Sequence, residues 1–67
     1  MMIKVQHQHP QWRVVQPDGT SPASFDSGAS AFDFADSLAR EHFAETGDSS
    51  GVRVEVGDAF VDAVQYG

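Results

Sequence analysis

Sixty-seven residues without a single cysteine limit this chain to one small domain held by an apolar core, with no disulfide and no thiolate metal cage. Ten acids against four lysines and arginines give a formal net charge of −6 at pH 7, which argues against direct nucleic-acid binding. No apolar run reaches the roughly 18 residues of a membrane span, and the opening MMIKVQHQHP lacks the features of a secretory signal, so a soluble cytoplasmic protein is expected.

The first element is a strand. In MIKVQH, Ile3, Val5 and His7 alternate with Met2, Lys4 and Gln6, the period-2 pattern of a half-buried strand. His9-Pro10 breaks it, because proline cannot donate to a ladder. QWRVVQ then predicts a second strand with Trp12 and Val14 on one face, and the pair reads as a hairpin. PDGTSP, residues 17–22, is turn chemistry, and ASF beyond it is at most a short extended piece.

A helix follows. Asp26 or Ser27 supplies the N-cap, and Ala31, Phe34, Ala35, Leu38, Ala39 and His42 recur at the i, i+3, i+4, i+7 spacing of a core-facing helix. Phe32 and Phe43 edge that stripe, Asp33, Asp36, Arg40 and Glu41 fall on the far side, and Gly47 closes the helix. Asp36 and Arg40 are spaced as an i, i+4 ion pair.

VRVEV, residues 52–56, alternates again, with the valines inward. Gly57-Asp58 predicts a two-residue turn, and AFVDAVQYG returns as the last strand. That turn sets Val56 opposite Ala59, Val54 opposite Val61 and Arg53 opposite Asp62. It also places Phe60, Val64 and Tyr66 together on the outer face. Either the turn is longer and the register shifts, or that face is a contact surface. The order β-β-α-β-β predicts an α+β two-layer fold, one helix on a four-stranded, mostly antiparallel sheet with one face uncovered. The expected core is Ile3, Val5, Trp12, Val14, Phe25, Ala31, Phe34, Ala35, Leu38, Val52 and Val54.

Trp12 and Val14, Gly19, the run Ala31, Ala35, Leu38, Ala39, Arg40, and the terminal Tyr66-Gly67 form a spaced pattern over nearly the whole chain. In it the chain resembles a family of small bacterial β-β-α-β-β domains of unknown function, with a W-x-V strand, an A-x-x-x-A-x-x-L-A-R helix and a closing Y-G. The resemblance implies the fold and brings no catalytic residues. This chain departs from that pattern in its acidity.

Reactive constellations are thin. GDSSG, residues 47–51, fits G-x-S-x-G, but a nucleophile elbow needs a strand entering and a helix leaving, and here the order is reversed. His7 and His9 share a strand face, and a metal would require His42 to converge on them, which nothing in the spacing enforces. Asp33 and Asp36 lie on a solvated helix face, without the cleft that drives catalytic carboxylates apart in pKa. No glycine-rich loop carries a lysine for phosphate. Neither enzyme activity nor a metal or other cofactor is expected.

Charge carries the functional expectation. Residues 1–17 hold Lys4, Arg13 and no acid, whereas residues 18–67 hold all ten acids against Arg40 and Arg53. Asp33, Asp36, Glu41 and Glu45 form a row of anions along roughly 18 Å of helix, a span over which duplex DNA shows about ten phosphates. Asp48 and Asp58 are expected to assist from loops. In gross character (tiny, acidic, cysteine-free) the chain resembles anti-CRISPR proteins and other phage-encoded DNA mimics. That resemblance implies an inhibitor occupying a basic nucleic-acid-binding surface, such as the DNA-recognition subunit of a CRISPR surveillance complex, in a bacterial host cell. The alternative is a housekeeping accessory domain that dimerises or docks through its open sheet face, with Phe60, Val64 and Tyr66 as contacts and acids that only confer solubility. A monomer or a weak homodimer fits either reading.

Overall fold

A computed structural model describes residues Met1–Gly67. Strands β1 (Met2–Gln8), β2 (Gln11–Val15) and β3 (Ala23–Phe25) precede helix α1 (Gly28–Thr46), and β4 (Ser50–Val56) and β5 (Ala59–Tyr66) follow it. All five strands join one sheet in the order β3-β2-β1-β4-β5. Strands β1 and β4 run parallel, and the other three pairings are antiparallel.

The sheet is therefore five-stranded rather than four-stranded. The extra strand is ASF, which pairs Trp12 with Phe25 and Val14 with Ala23. Three residues are too few to announce a strand by alternation, so its pairing with β2 is a tertiary effect. The remaining architecture is the expected α+β one, with α1 supplying the crossover that parallel strands need.

Helix α1 starts and stops where its sequence dictates. The Ser27 side chain accepts from the Ser30 N–H at 3.1 Å, satisfying one orphan donor of the first turn. Gly47 ends the helix at φ 74, a conformation that a Cβ would oppose, and its N–H donates to the Phe43 carbonyl at 2.8 Å.

Ala31, Ala35 and Ala39 form the buried line of α1, and their small side chains let the helix backbone settle close on the sheet. They meet Ile3, Val5, Val14 and Val52, all at most 1% exposed. Each of these four contributes about 1.5–3 kcal/mol on burial. Trp12, Phe25, Phe32, Leu38, Val54, Val64 and Tyr66 ring that centre, half-buried. Phe34, expected in the core, stays 38% exposed with its ring 5.3 Å from that of Phe25. With alanines under the axis, a phenylalanine about 100° from Ala35 lies at the helix flank instead of beneath it.

The β4–β5 hairpin has the expected register at its tip: Val56 with Ala59, Val54 with Val61, Arg53 with Asp62. A bulge then intervenes, and Val52 faces Val64, with Ala63 as the extra residue. Side chains beyond it change face. Val64 and Tyr66 turn toward the helix and the core, and only Phe60 of the three stays outside. A bulge at Ala63, rather than a longer turn or a contact surface, accounts for Val64 and Tyr66.

Candidate functional site

The two faces of the molecule differ in charge. Residues directly opposite each other on neighbouring strands point to the same side of a sheet, so β1, β2, β4 and β5 place Lys4, Gln6, Arg13, Arg53, Glu55, Phe60 and Asp62 on the open face. Three of the four cationic side chains thus sit there, and only Arg40 belongs to the helix. The exposed side of α1 carries the carboxylates.

These carboxylates do not form a single row. Measured from Ala35 at 100° per residue, Asp33 lies about 160° round the helix, Asp36 about 100° on one flank, and Glu41 and Glu45 about 120° and 80° on the other. Asp33, Glu41 and Glu45 are exposed, whereas Asp36 is half-buried with its side chain 17% exposed. The flank of Asp36 faces the end of β5, where the Tyr66 hydroxyl donates to its carboxylate. Arg40 reaches the other oxygen of Asp36 at 2.5 Å. Tyr66 and Asp36 together raise the Arg40 guanidinium above its usual pKa. Asp36 is therefore spent on holding β5 to the helix, while Asp33, Glu41 and Glu45 have no bonding partner in the chain.

Asp48 and Asp58 are both exposed but stand at opposite ends of β4, about 23 Å of strand apart. Asp48 continues from the C-terminal end of α1, its N–H donating to Thr46 Oγ1 at 3.1 Å. Asp58 occupies the tip of the β4–β5 hairpin, away from the end of the helix. Glu41 and Glu45 are neighbours one turn apart, Asp33 stands about 12 Å from Glu41 along the helix axis, and Asp48 follows the C-terminal end.

On the sheet face Arg53, Asp62 and Glu55 have partners within the chain, whereas Lys4 and Arg13 form no ion pair. Arg53 donates to Asp62 at 2.8 Å and lies 4.4 Å from the centre of the Phe60 ring. The bond to Asp62 raises the Arg53 pKa, with desolvation opposing it. Gln6 donates to Glu55 at 2.7 Å.

The three histidines have separate surroundings. His7 stacks on Trp12 with ring centres 4.3 Å apart, and His9 stands edge-on to it at 6.1 Å. Trp12 lies against Gly28 at the helix N-terminus, where a Cβ would come within 3.0 Å of the indole. His42 is about 21 Å further along the helix axis. The three do not converge, and no group of three metal-ligating side chains forms.

In GDSSG, Ser49 Oγ donates to the Gly67 carbonyl at 3.4 Å, with no histidine beside it. Ser50 is the buried one, 1% exposed, and its hydroxyl has no partner. Gly51 follows under tight constraint, since a Cβ there would lie 2.6 Å from the Val64 carbonyl. The glycine thus serves close approach of β5 near its bulge.

The link from Tyr66 to Asp36 escaped sequence reading. Its one signal was the conflict of three large apolar side chains on the outer face of β5, which a bulge resolves. No helix is long and apolar enough to cross a membrane. Comparison with protein families, curated proteins and solved structures returned no match.

Proposed function

We propose that this chain is a non-catalytic acidic binding module that occupies a cationic groove of a nucleic-acid-binding protein, acting as a DNA-mimic inhibitor of the anti-CRISPR type in the cytoplasm of a bacterial host. The observation that carries the reading is charge segregation: free carboxylates of Asp33, Glu41 and Glu45 on the outward helix, whereas the opposite sheet face holds Lys4, Arg13 and Arg53 against only Glu55 and Asp62, the latter paired with Arg53. A groove lined by lysine and arginine attracts the first face and repels the cations of the second, which orients the encounter. Asp48 extends the contact, and Asp36 acts by fixing the helix against β5.

Three free anions along the helix imitate a phosphate strand sparsely. The module works by filling the groove rather than by copying the duplex. The test is a mobility-shift measurement of DNA binding by a CRISPR surveillance complex, with and without the chain. Inhibition is expected at low salt and should weaken steeply as ionic strength rises. The triple variant Asp33→Lys, Glu41→Lys, Glu45→Lys should lose it. Equal inhibition by that variant, or none by the natural chain, removes the proposal.

A further inference from the structure

Val56, Phe60 and Val61 are large apolar side chains left 48%, 59% and 63% exposed, and all three belong to the β4–β5 hairpin. The helix stops short of them. Beyond the half-buried Val54, Val56, Ala59 and Val61 share the helix side of the sheet at the hairpin tip and are exposed, while Phe60 looks out on the open side. Strand β5 is also a sheet edge, hydrogen-bonded to β4 alone, and residues 59–63 are all exposed.

Few of the usual protections of an edge are present over the first half of β5, where Asp62 is the one charged side chain. No proline or lysine occurs from Ala59 to Tyr66, and the bulge lies beyond Asp62. The opposite edge, β3, is only three residues long. Ala59–Asp62 therefore offers an unpaired ladder with an apolar stripe on one side.

Charge decides what can lie there. Glu55, Asp58 and Asp62 surround the segment, against Arg53, which already serves Asp62 and Phe60. A second copy of the chain fits badly. Symmetric antiparallel pairing about Phe60 sets Asp62 opposite Asp58 of the copy, and pairing about Asp62 sets two Asp62 carboxylates face to face. Pairing about Val61 sets Asp62 opposite the Phe60 of the copy, with no cation gained.

We infer that the β5 edge at Ala59–Asp62 accepts, by strand addition, an extended segment of another protein in which lysines or arginines alternate with apolar residues. Its apolar side chains continue the Val56–Val61 stripe. Its cations fall on the other side, beside Asp62, Glu55 and the face of Phe60. This surface is separate from the outward helix face, and the inference stands or falls without the inhibitor reading.

The probe is a short capped peptide of alternating lysine and valine, titrated into the isotope-labelled chain and followed by amide NMR. Saturable shifts and slowed amide exchange at residues 59–62 are expected, and a peptide of alternating glutamate and valine should give neither. Val61→Lys should weaken binding about tenfold or more. Phe60→Lys does the same should Val61→Lys misfold. The double variant Asp33→Lys, Glu41→Lys should bind the peptide at the edge as before. Shifts confined to the helix acids, undiminished binding by Val61→Lys and Phe60→Lys, or no saturable shift each overturn the inference. Self-association of the chain that Val61→Lys abolishes would also overturn it, assigning the edge to a second copy.

Discussion

Removing one oxygen from Tyr66 tests how β5 is held to the helix. Tyr66→Phe keeps the ring against the core and deletes only the hydroxyl that donates to Asp36. A hydrogen bond to a charged group contributes about 1.5–3 kcal/mol, and the partial exposure of Asp36, 17%, places this one near the lower end. A loss of about 1.5 kcal/mol lowers the melting temperature of so small a domain by about 6–12 °C. Urea denaturation of Tyr66→Phe, Asp36→Ala and the double variant completes a thermodynamic cycle. In the Asp36→Ala background, Tyr66→Phe should cost almost nothing, because its partner is already gone. Equal costs in both backgrounds would show that the hydroxyl acts elsewhere, and the role assigned to Asp36 would fail with it.

Ser50→Ala should stabilise the fold by about 1 kcal/mol, since it removes a buried hydroxyl without a partner from a site that alanine fills; a loss in urea denaturation would mean that the hydroxyl is satisfied after all. Deleting Ala63 should leave a regular hairpin in which Val52 still faces Val64 and Arg53 still faces Asp62, with the same cross-strand NOEs as the natural chain; NOEs in the natural chain that pair Val52 with Ala63 instead of Val64 would refute the bulge. The Asp18 carboxylate is held below its ordinary 3.8 by hydrogen bonding to the Thr20 side chain and then to the Thr20 N–H, which lies 2.9 Å away. Its contribution is thus present above that ordinary value and fades as pH falls through the lower folded one. Carbon-detected titration of Asp18 should show the depression, and Thr20→Ala should lessen it.

Much of this fold is legible in local chemistry. Ser27 and Gly47 bound the helix because capping and left-handed closure are properties of single residues. Gly57-Asp58 fixes the hairpin tip because a two-residue turn leaves one register open. What escaped depends on distant pairing. Strand β3 exists only through β2, and the bulge at Ala63 carries no residue of its own to mark it. The surface followed the same division. A helical wheel puts Asp33, Glu41 and Glu45 in solvent correctly, and it puts Asp36 there too, because no wheel contains Tyr66, thirty residues away.

The placement of the free acids bears on whether they serve binding or mere solubility. A helix favours anions in its first turn and cations in its last. Here the first turn holds no acid and the last no base, and Glu45 sits beside the exposed carbonyls of the C-terminus. Glu41 and Glu45, four apart, also repel each other. Solubility needs only net charge, and the exposed Ala29 and Ser30 of the first turn would have carried it without that cost. Glu45→Lys should accordingly stabilise the chain, by about 0.3–1 kcal/mol in urea denaturation. Its inhibition of DNA binding should fall at the same time. Such opposition between stability and binding is the signature of a residue kept for its partner; a variant that gained stability and inhibited undiminished would return Glu45 to the role of a solubilising charge.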